Sequence, residues 1–267
     1  MDSRQLADVL WYGGIAVDAV LVARLWRLRL VRRYPVLLAF GVVGLVRGTL
    51  LVYLRFSDSR LLGLKAYALA YVVSQPLEWA LFFLLVLEFY SRMLEDFPGI
   101  RRLGGLAMYS ALASIAGGVC LLVALDQQAG FHPYPFLSYL AQQQRGVYLA
   151  LCAIMLFLLL FVAHFRLSIS RNVWILCACF GGHFLASSAL LTLREHYGVA
   201  FVFWRNLLQP LSYLVALLVG VLFVTRAGEQ QSYPISALWG RTSPELEAAL
   251  AMRLQGFNQV LVKALRS

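Results

Sequence analysis

Four ionisable residues of this chain, Asp18, Arg47, Glu78 and His183, stand in the middle of long apolar runs. Two glutamine–proline pairs do the same. They sit in similar hexapeptides, SQPLEW at 74–79 and LQPLSY at 208–213, and supply Gln75, Pro76, Gln209 and Pro210. Each residue type has a definite chemistry in that setting. Arg47 would neutralise an anionic group, and it needs a carboxylate partner, because an unpaired buried charge costs far more than a paired one. Glu78 and Asp18 are the two candidates for that partner. Glu78 could also exchange a proton, His183 could bridge helices or carry a proton, and the glutamine amides could bind a ligand or a neighbouring backbone group. Pro76 and Pro210 each remove a backbone donor and free the carbonyl one turn earlier, those of Val72 and Asn206, which kinks a helix. Asp18, Arg47, Gln75, Glu78, His183 and Gln209 are therefore the candidate ligand-binding set, with Pro76 and Pro210 as helix kinks. No catalytic and no metal-ligating residue is assigned.

The apolar runs that must position these groups dominate the chain. Of its 267 residues, 61% are hydrophobic and 13% charged, and the mean hydropathy is +0.74. A soluble domain carries about twice that charged fraction. Runs of about 17–25 apolar residues, long enough to cross a bilayer, recur along nearly the whole length. Seven spans are expected, at roughly 7–28, 34–54, 64–90, 103–125, 146–168, 172–193 and 202–225. The fold class is thus an all-α integral membrane protein, a seven-helix transmembrane bundle over 1–227 followed by a tail over 228–267. The opening MDSRQ lacks the basic cluster of a cleaved signal peptide, so the first run is read as a span.

Orientation follows from the cations between spans. Five lie between spans one and two, three between three and four, two between five and six, and five in the tail. The other side holds one, three, one and two. Cytoplasmic loops carry the excess, so the N-terminus is placed outside and the tail inside. The net charge of +10 resides at the ends of apolar runs, a pattern of membrane anchoring, and nucleic acid is set aside as a partner. The protein is expected in a plasma membrane, and the 21 Arg against 2 Lys, with abundant Ala, Leu, Gly and Val, points to a prokaryotic inner membrane.

At 1.5 Å per residue, Asp18 lies about 16 Å and Glu78 about 20 Å below the outer ends of their helices, and Gln209 about 10 Å. His183 lies about 16 Å and Arg47 about 20 Å above the inner ends of theirs. All can meet in one cavity in the middle or outer half. Glu88 and His164 lie near the inner ends and are read as snorkelling to the interface. Three strips of small residues, Gly41/Gly44/Gly48, Ser110/Ser114/Gly118 and Ala178/Gly182/Ala186, are expected to pack helices closely within the bundle. The aromatic loop at 131–145 is read as part of the interfacial belt.

Superposing Gln75 on Gln209 also matches Leu84 with Leu218, Phe89 with Phe223 and Arg92 with Arg226. This suggests two parallel triple-helix units joined by the fourth span, a 3+1+3 repeat about an axis along the membrane normal. In topology the plan resembles the SWEET and PQ-loop families. Their motif is Pro-Gln on the first helix of each unit, whereas here Gln-Pro falls on the third.

In the tail, Thr242 with Glu245 fits a capping box and Pro244 the first helical turn. Leu246, Leu250, Leu254, Phe257, Leu261 and Leu265 recur every three or four residues, giving a cytoplasmic amphipathic helix at about 243–266. It has three possible seats: the inner membrane surface, a protein partner, or the inner end of the bundle.

Several functions fall away. No lysine lies between Phe201 and Thr225, so a retinal Schiff base is disfavoured. His164 and His183 lie about 10 Å apart in depth, which disfavours bis-histidine haem. No cofactor is expected. Cys120, Cys152, Cys177 and Cys179 all fall in apolar runs and form neither a disulfide framework nor a zinc set. Hydrolase motifs are missing. The leading reading is a protein that binds a small or lipidic ligand in a mid-to-outer membrane polar cavity, as a sensor, receptor or carrier. A non-catalytic subunit of a larger membrane complex is the first alternative and an intramembrane enzyme the second.

Overall fold

The computed structural model describes residues 3–56, 60–106, 108–110, 113–114, 117, 133–165, 167–234 and 244–264. The long helices are α1 (Ser3–Arg27), α2 (Pro35–Arg55), α3 (Arg60–Met93), α5 (Pro133–His164), α6 (Arg171–Tyr197) and α7 (Val202–Phe223). Residues 98–106 are also helical and are called α4. After α7 come a short helix, α8 (Arg226–Gln230), and a longer one, α9 (Pro244–Ala264). Among the described residues six stretches are long and apolar enough to cross a membrane: Asp8–Arg27, Pro35–Arg55, Ala66–Met93, Gln143–His164, Arg171–Arg194 and Val202–Phe223. Such a set is that of a multi-pass membrane protein. The fourth expected span, 103–125, lies largely outside the described residues, as do Gly118 and Thr242.

The six long helices pack in a ring in the order α1, α2, α3, α5, α6, α7, with α7 returning to α1 and α3 touching both α5 and α6. Pairwise contacts give their directions. A Cβ placed at Gly41, Gly44 or Gly48 would meet Val22, Asp18 or Ile15 respectively, so α2 runs antiparallel to α1. This glycine strip therefore packs within the bundle, as expected. The strip Ala178/Gly182/Ala186 does not: it borders an apolar cleft of about 620 Å³ between α6 and α7, and a Cβ at Gly182 would meet nothing within 4 Å. The small residues leave a gap there that Leu208, Leu211 and Val215 only border.

Each helix turns an apolar stripe outward at helical spacing. Val42, Val46, Leu50 and Tyr53 do so on α2, and Leu211, Val215, Leu218 and Leu222 on α7. In lipid this is the low-energy arrangement, since apolar side chains need not be hidden and polar ones must be. The interior below mid-height is filled by an aromatic layer. Phe40 lies 5.1 Å from Phe82 and 5.8 Å from Phe180 between ring centroids, and Phe82 meets Phe184 edge-on at 5.2 Å.

At the end of the bundle opposite the N-terminus a polar lock joins the helices. Arg33 Nε donates to Glu229 at 2.9 Å, and its Nη2 to Glu95 at 2.7 Å. Tyr34 OH and Asn172 Nδ2 both donate to Glu229 Oε2, at 2.5 and 3.1 Å. Arg92 donates to the carbonyl of Arg33. Burial and the adjacent Glu229 carboxylate hold the Tyr34 phenol above its ordinary range. The hydrogen bond to Glu229 likewise raises Arg33. Glu88 was expected from its depth to reach the interface, and it does not. It is buried, and its carboxylate accepts from the backbone N–H groups of Val36 and Leu37 at 3.1 and 3.0 Å. Pro35 opens α2, so these N–H groups have no partner inside the helix and a carboxylate satisfies them.

The stretch assigned to the end of the fifth span is not helical throughout. α5 stops at His164, and Ser168–Ser170 form a strand, β1, paired antiparallel with β2 (Ser232–Pro234). Ser170 then caps α6, its hydroxyl accepting from Val173 N–H at 3.4 Å. Ser168–Ser170 thus lie between the two helices, start the second through Ser170, and hold the tail to the bundle through β2. α9 docks as well. Leu254 is buried, and Asn258 Oδ1 accepts from Gly99 N–H at 2.7 Å, at the start of α4. Of the three seats expected for this helix, its Leu254 face takes the bundle end.

Candidate functional site

Proline interrupts α3 at Pro76 and α7 at Pro210, yet each helix continues through it. The glutamine before each proline points to the same place. Gln75 and Gln209 both line a cavity of about 300 Å³ enclosed by the ring, and so do Asp18, Arg47, Glu78 and His183. The six residues come from five helices. Pro210 borders the cavity, whereas Pro76 does not.

The mouth and floor follow from residue order. Leu10 and Trp11 of α1, Leu51 of α2, Tyr67 of α3, Gln144 of α5 and Arg205 of α7 all lie towards the N-terminal end of the bundle. Tyr213 lies midway along α7, and Phe40, in the second turn of α2, and Leu81 of α3 border the cavity at the aromatic layer. The cavity therefore enters from the N-terminal side and stops at that layer.

Polar groups occupy distinct levels. Near the floor, Asp18 is buried and accepts from Tyr213 OH at 3.2 Å. Its close approach to α2 depends on Gly44, where a Cβ would stand 2.9 Å from Asp18 Oδ2. His183 Nδ1 lies 3.0 Å from Ser212 Oγ, and its buried Nε2 has no hydrogen-bond partner among the described residues. One turn nearer the mouth, Arg47 is bound on all sides. Its Nη1 donates to Glu78 Oε2 at 2.6 Å, Nε to Ser74 Oγ at 2.9 Å and Nη2 to Gln75 Oε1 at 3.1 Å. Gln75 Nε2 returns a bond to Glu78 Oε2 at 3.1 Å. The guanidinium carbon sits 5.6 Å from the Tyr71 ring centroid. Of the two carboxylates within reach by depth, Glu78 is the one Arg47 pairs with, and Glu78 also faces the cavity.

Nearer the mouth, Arg205 Nε donates to Gln209 Oε1 at 3.3 Å. By sequence Arg205 counts among the cations of the N-terminal side, because it lies within the first turn of α7. Its spacing of four from Gln209 was the available signal, since residues four apart share a helix face. Tyr71, Tyr148 and Tyr213 also line the cavity, and no sequence signal marks them. Aromatic residues are common in membrane helices, and only packing shows which of them face inward.

Chemically, the cavity offers an internally neutralised Arg47–Glu78 pair, a buried acid with a phenol donor, an imidazole, one further guanidinium and a wall of aromatic and aliphatic carbon. Among the described residues no three His, Cys, Asp or Glu side chains converge, and no metal set is assigned. Comparison of the chain with protein-family models, with curated proteins and with solved structures returns no match in any of the three.

Proposed function

We propose that this chain is a seven-helix membrane protein that binds a small or lipidic ligand in the polar cavity, acting as a sensor, receptor or carrier. Its N-terminus lies outside and its tail in the cytoplasm, so the mouth faces outward. The observation that carries this reading is the convergence of Asp18, Arg47, Gln75, Glu78, His183 and Gln209 on one cavity. Polar and ionisable side chains at membrane depth are costly, and a cavity lined by them from five helices is the usual form of a binding site or pathway. The aromatic layer and the polar lock close the cytoplasmic side, as a receptor, or a carrier in its outward-facing state, requires. The proline interruptions of α3 and α7 are the natural hinges for a carrier. The neighbour order of the ring is compatible with two parallel units, α1–α3 and α5–α7, although any sequential ring shares it.

The test is native mass spectrometry of gently purified protein alongside a plugged variant, Gly14→Phe. Gly14 lines the cavity, and a Cβ there meets nothing within 4 Å. A retained small molecule or lipid is expected in the wild type and absent from the plugged variant. Identical spectra for the two would remove the reading. Exchange of that ligand in proteoliposomes then separates a carrier from a receptor.

A partner protein enters through one observation. α9 keeps Met252, Phe257 and Val260 exposed while Leu254 is buried. This face supports a role for 243–266 in passing a signal to, or assembling with, another chain. Co-purification in fixed stoichiometry, lost on Phe257→Ser, is the check.

A further inference from the structure

The two guanidinium groups of the cavity are not equivalent. Arg47 is held by its own chain: Glu78 neutralises it, and Ser74 and Gln75 take its remaining donors. Arg205 lines the same cavity, is partly buried, and has no carboxylate partner among the described residues. Its one hydrogen bond among the described residues uses Nε, towards the neutral amide of Gln209. The Nη1 and Nη2 donors, which grip carboxylate and phosphate oxygens in a fork, are left for something else. A guanidinium at a membrane cavity wall without a counter-ion is a standing electrostatic penalty, and an anion in the cavity removes it.

The acids fix which end of the ligand is charged. Asp18 lies near the floor and Glu78 above it, so an anionic group pushed down the cavity would meet both. Arg205 and Tyr213 are eight residues apart on α7, about 12 Å along the helix. The deeper wall sets the carbon of Phe40, Val43 and Leu81 beside Asp18, Tyr213 and His183. A volume of about 300 Å³ has room for roughly ten water-sized groups at about 30 Å³ each.

Resting on the reading of this cavity as a ligand site, we infer that it takes an amphiphile with one anionic headgroup, held at the mouth by Arg205. The Gln209 amide sits beside the headgroup, and a body of roughly ten heavy atoms descends towards Phe40 and Leu81. Arg47, the cation the sequence pattern singled out for an anion, instead shapes the wall.

The full-length protein in phosphatidylcholine nanodiscs, titrated with radiolabelled decanoate, tests this. Saturable binding is expected, resistant to equimolar decanol and decyltrimethylammonium. Arg205→Gln should weaken it at least tenfold while leaving the melting temperature unchanged or higher, because an unpaired charge is removed. Arg55→Gln, which removes a cation paired with Asp8 and outside the cavity wall, should change it less than threefold. Gly14→Phe should abolish it. Full binding by Arg205→Gln, or equal displacement by decyltrimethylammonium, overturns the anion assignment while loss in Gly14→Phe keeps the cavity as a ligand site. Full binding by Gly14→Phe removes both. No saturable binding of decanoate to the wild type also overturns the anion assignment. Replacing a fifth of the nanodisc lipid by phosphatidylglycerol identifies the source of the headgroup. Competition with decanoate assigns it to bilayer lipid, and unchanged decanoate binding to a free amphiphile, the anion site standing in both cases.

Discussion

Arg47 and Glu78 face each other across α2 and α3 at 2.6 Å, on the wall of the cavity rather than sealed within the protein. Removing one partner should therefore hurt more than removing both. Arg47→Gln or Glu78→Gln alone should destabilise by up to about 3 kcal/mol, since each leaves a charge unpaired at membrane depth. The double variant should recover most of that loss. Thermal unfolding of the four proteins in one detergent checks the cycle, and additive losses would show that the pair is not coupled.

The glycine strip on α2 and Gly14 on α1 make opposite predictions. A Cβ at Gly48 would lie 2.6 Å from Ile15 Cγ1 and 3.1 Å from its Cδ1, so Gly48→Ala forces α1 and α2 apart. A cost of about 1–3 kcal/mol is expected. Gly14→Ala meets nothing and removes a helix-weakening glycine, so it should be neutral or stabilising by up to about 1 kcal/mol. The same melting measurement reads both.

Glu88 holds the start of α2. Glu88→Ala leaves the N–H groups of Val36 and Leu37 buried without an acceptor, for a loss of about 1–3 kcal/mol. Amide exchange should rise first in the opening turn of α2. Unchanged exchange there would show that the cap is dispensable.

The tail is fastened by Leu254 and Asn258. Leu254→Ala should cost about 2–5 kcal/mol of local docking energy. Asn258→Ala removes the acceptor for Gly99 and Ile100 N–H, for about 1 kcal/mol. The combined variant should free 244–264 to protease while the bundle stays resistant.

One pH effect follows from the polar lock. The Tyr34 phenol is raised by burial first and by Glu229 second. A group raised in the folded state contributes stability that is complete below its unfolded value, near 10, and is lost as pH climbs above it. The wild type should therefore lose stability more steeply between pH 9 and 11 than Tyr34→Phe. Parallel curves for the two would exclude Tyr34 as the titrating group.

Much of this was legible in the order of residues. Apolar run length marks the spans because backbone polar groups in lipid must be satisfied within the helix, and that needs about twenty residues. Depth is legible too, because a helix rises a constant distance per residue. Counting from either end was enough to bring Asp18, Arg47, Gln75, Glu78, His183 and Gln209 to similar levels. What depth cannot supply is azimuth and partner. Helix rotation is set by which side chains pack, and so only the folded ring decided that Arg47 goes to Glu78 and Asp18 to Tyr213. The same holds for Glu88, whose depth suggested the interface but whose bearing carries it to the first turn of α2. Arg205 shows the limit most plainly. As a letter near a span end it is an ordinary anchoring cation. Four residues from Gln209 on an inward face, in the same cavity as an arginine already neutralised, it becomes the cavity cation without a carboxylate partner among the described residues. Composition and spacing thus determined that this chain lives in a membrane and where along its helices the polar groups fall. Packing alone decided which of those charges pair with each other, because pairing depends on distances between helices that no linear order contains.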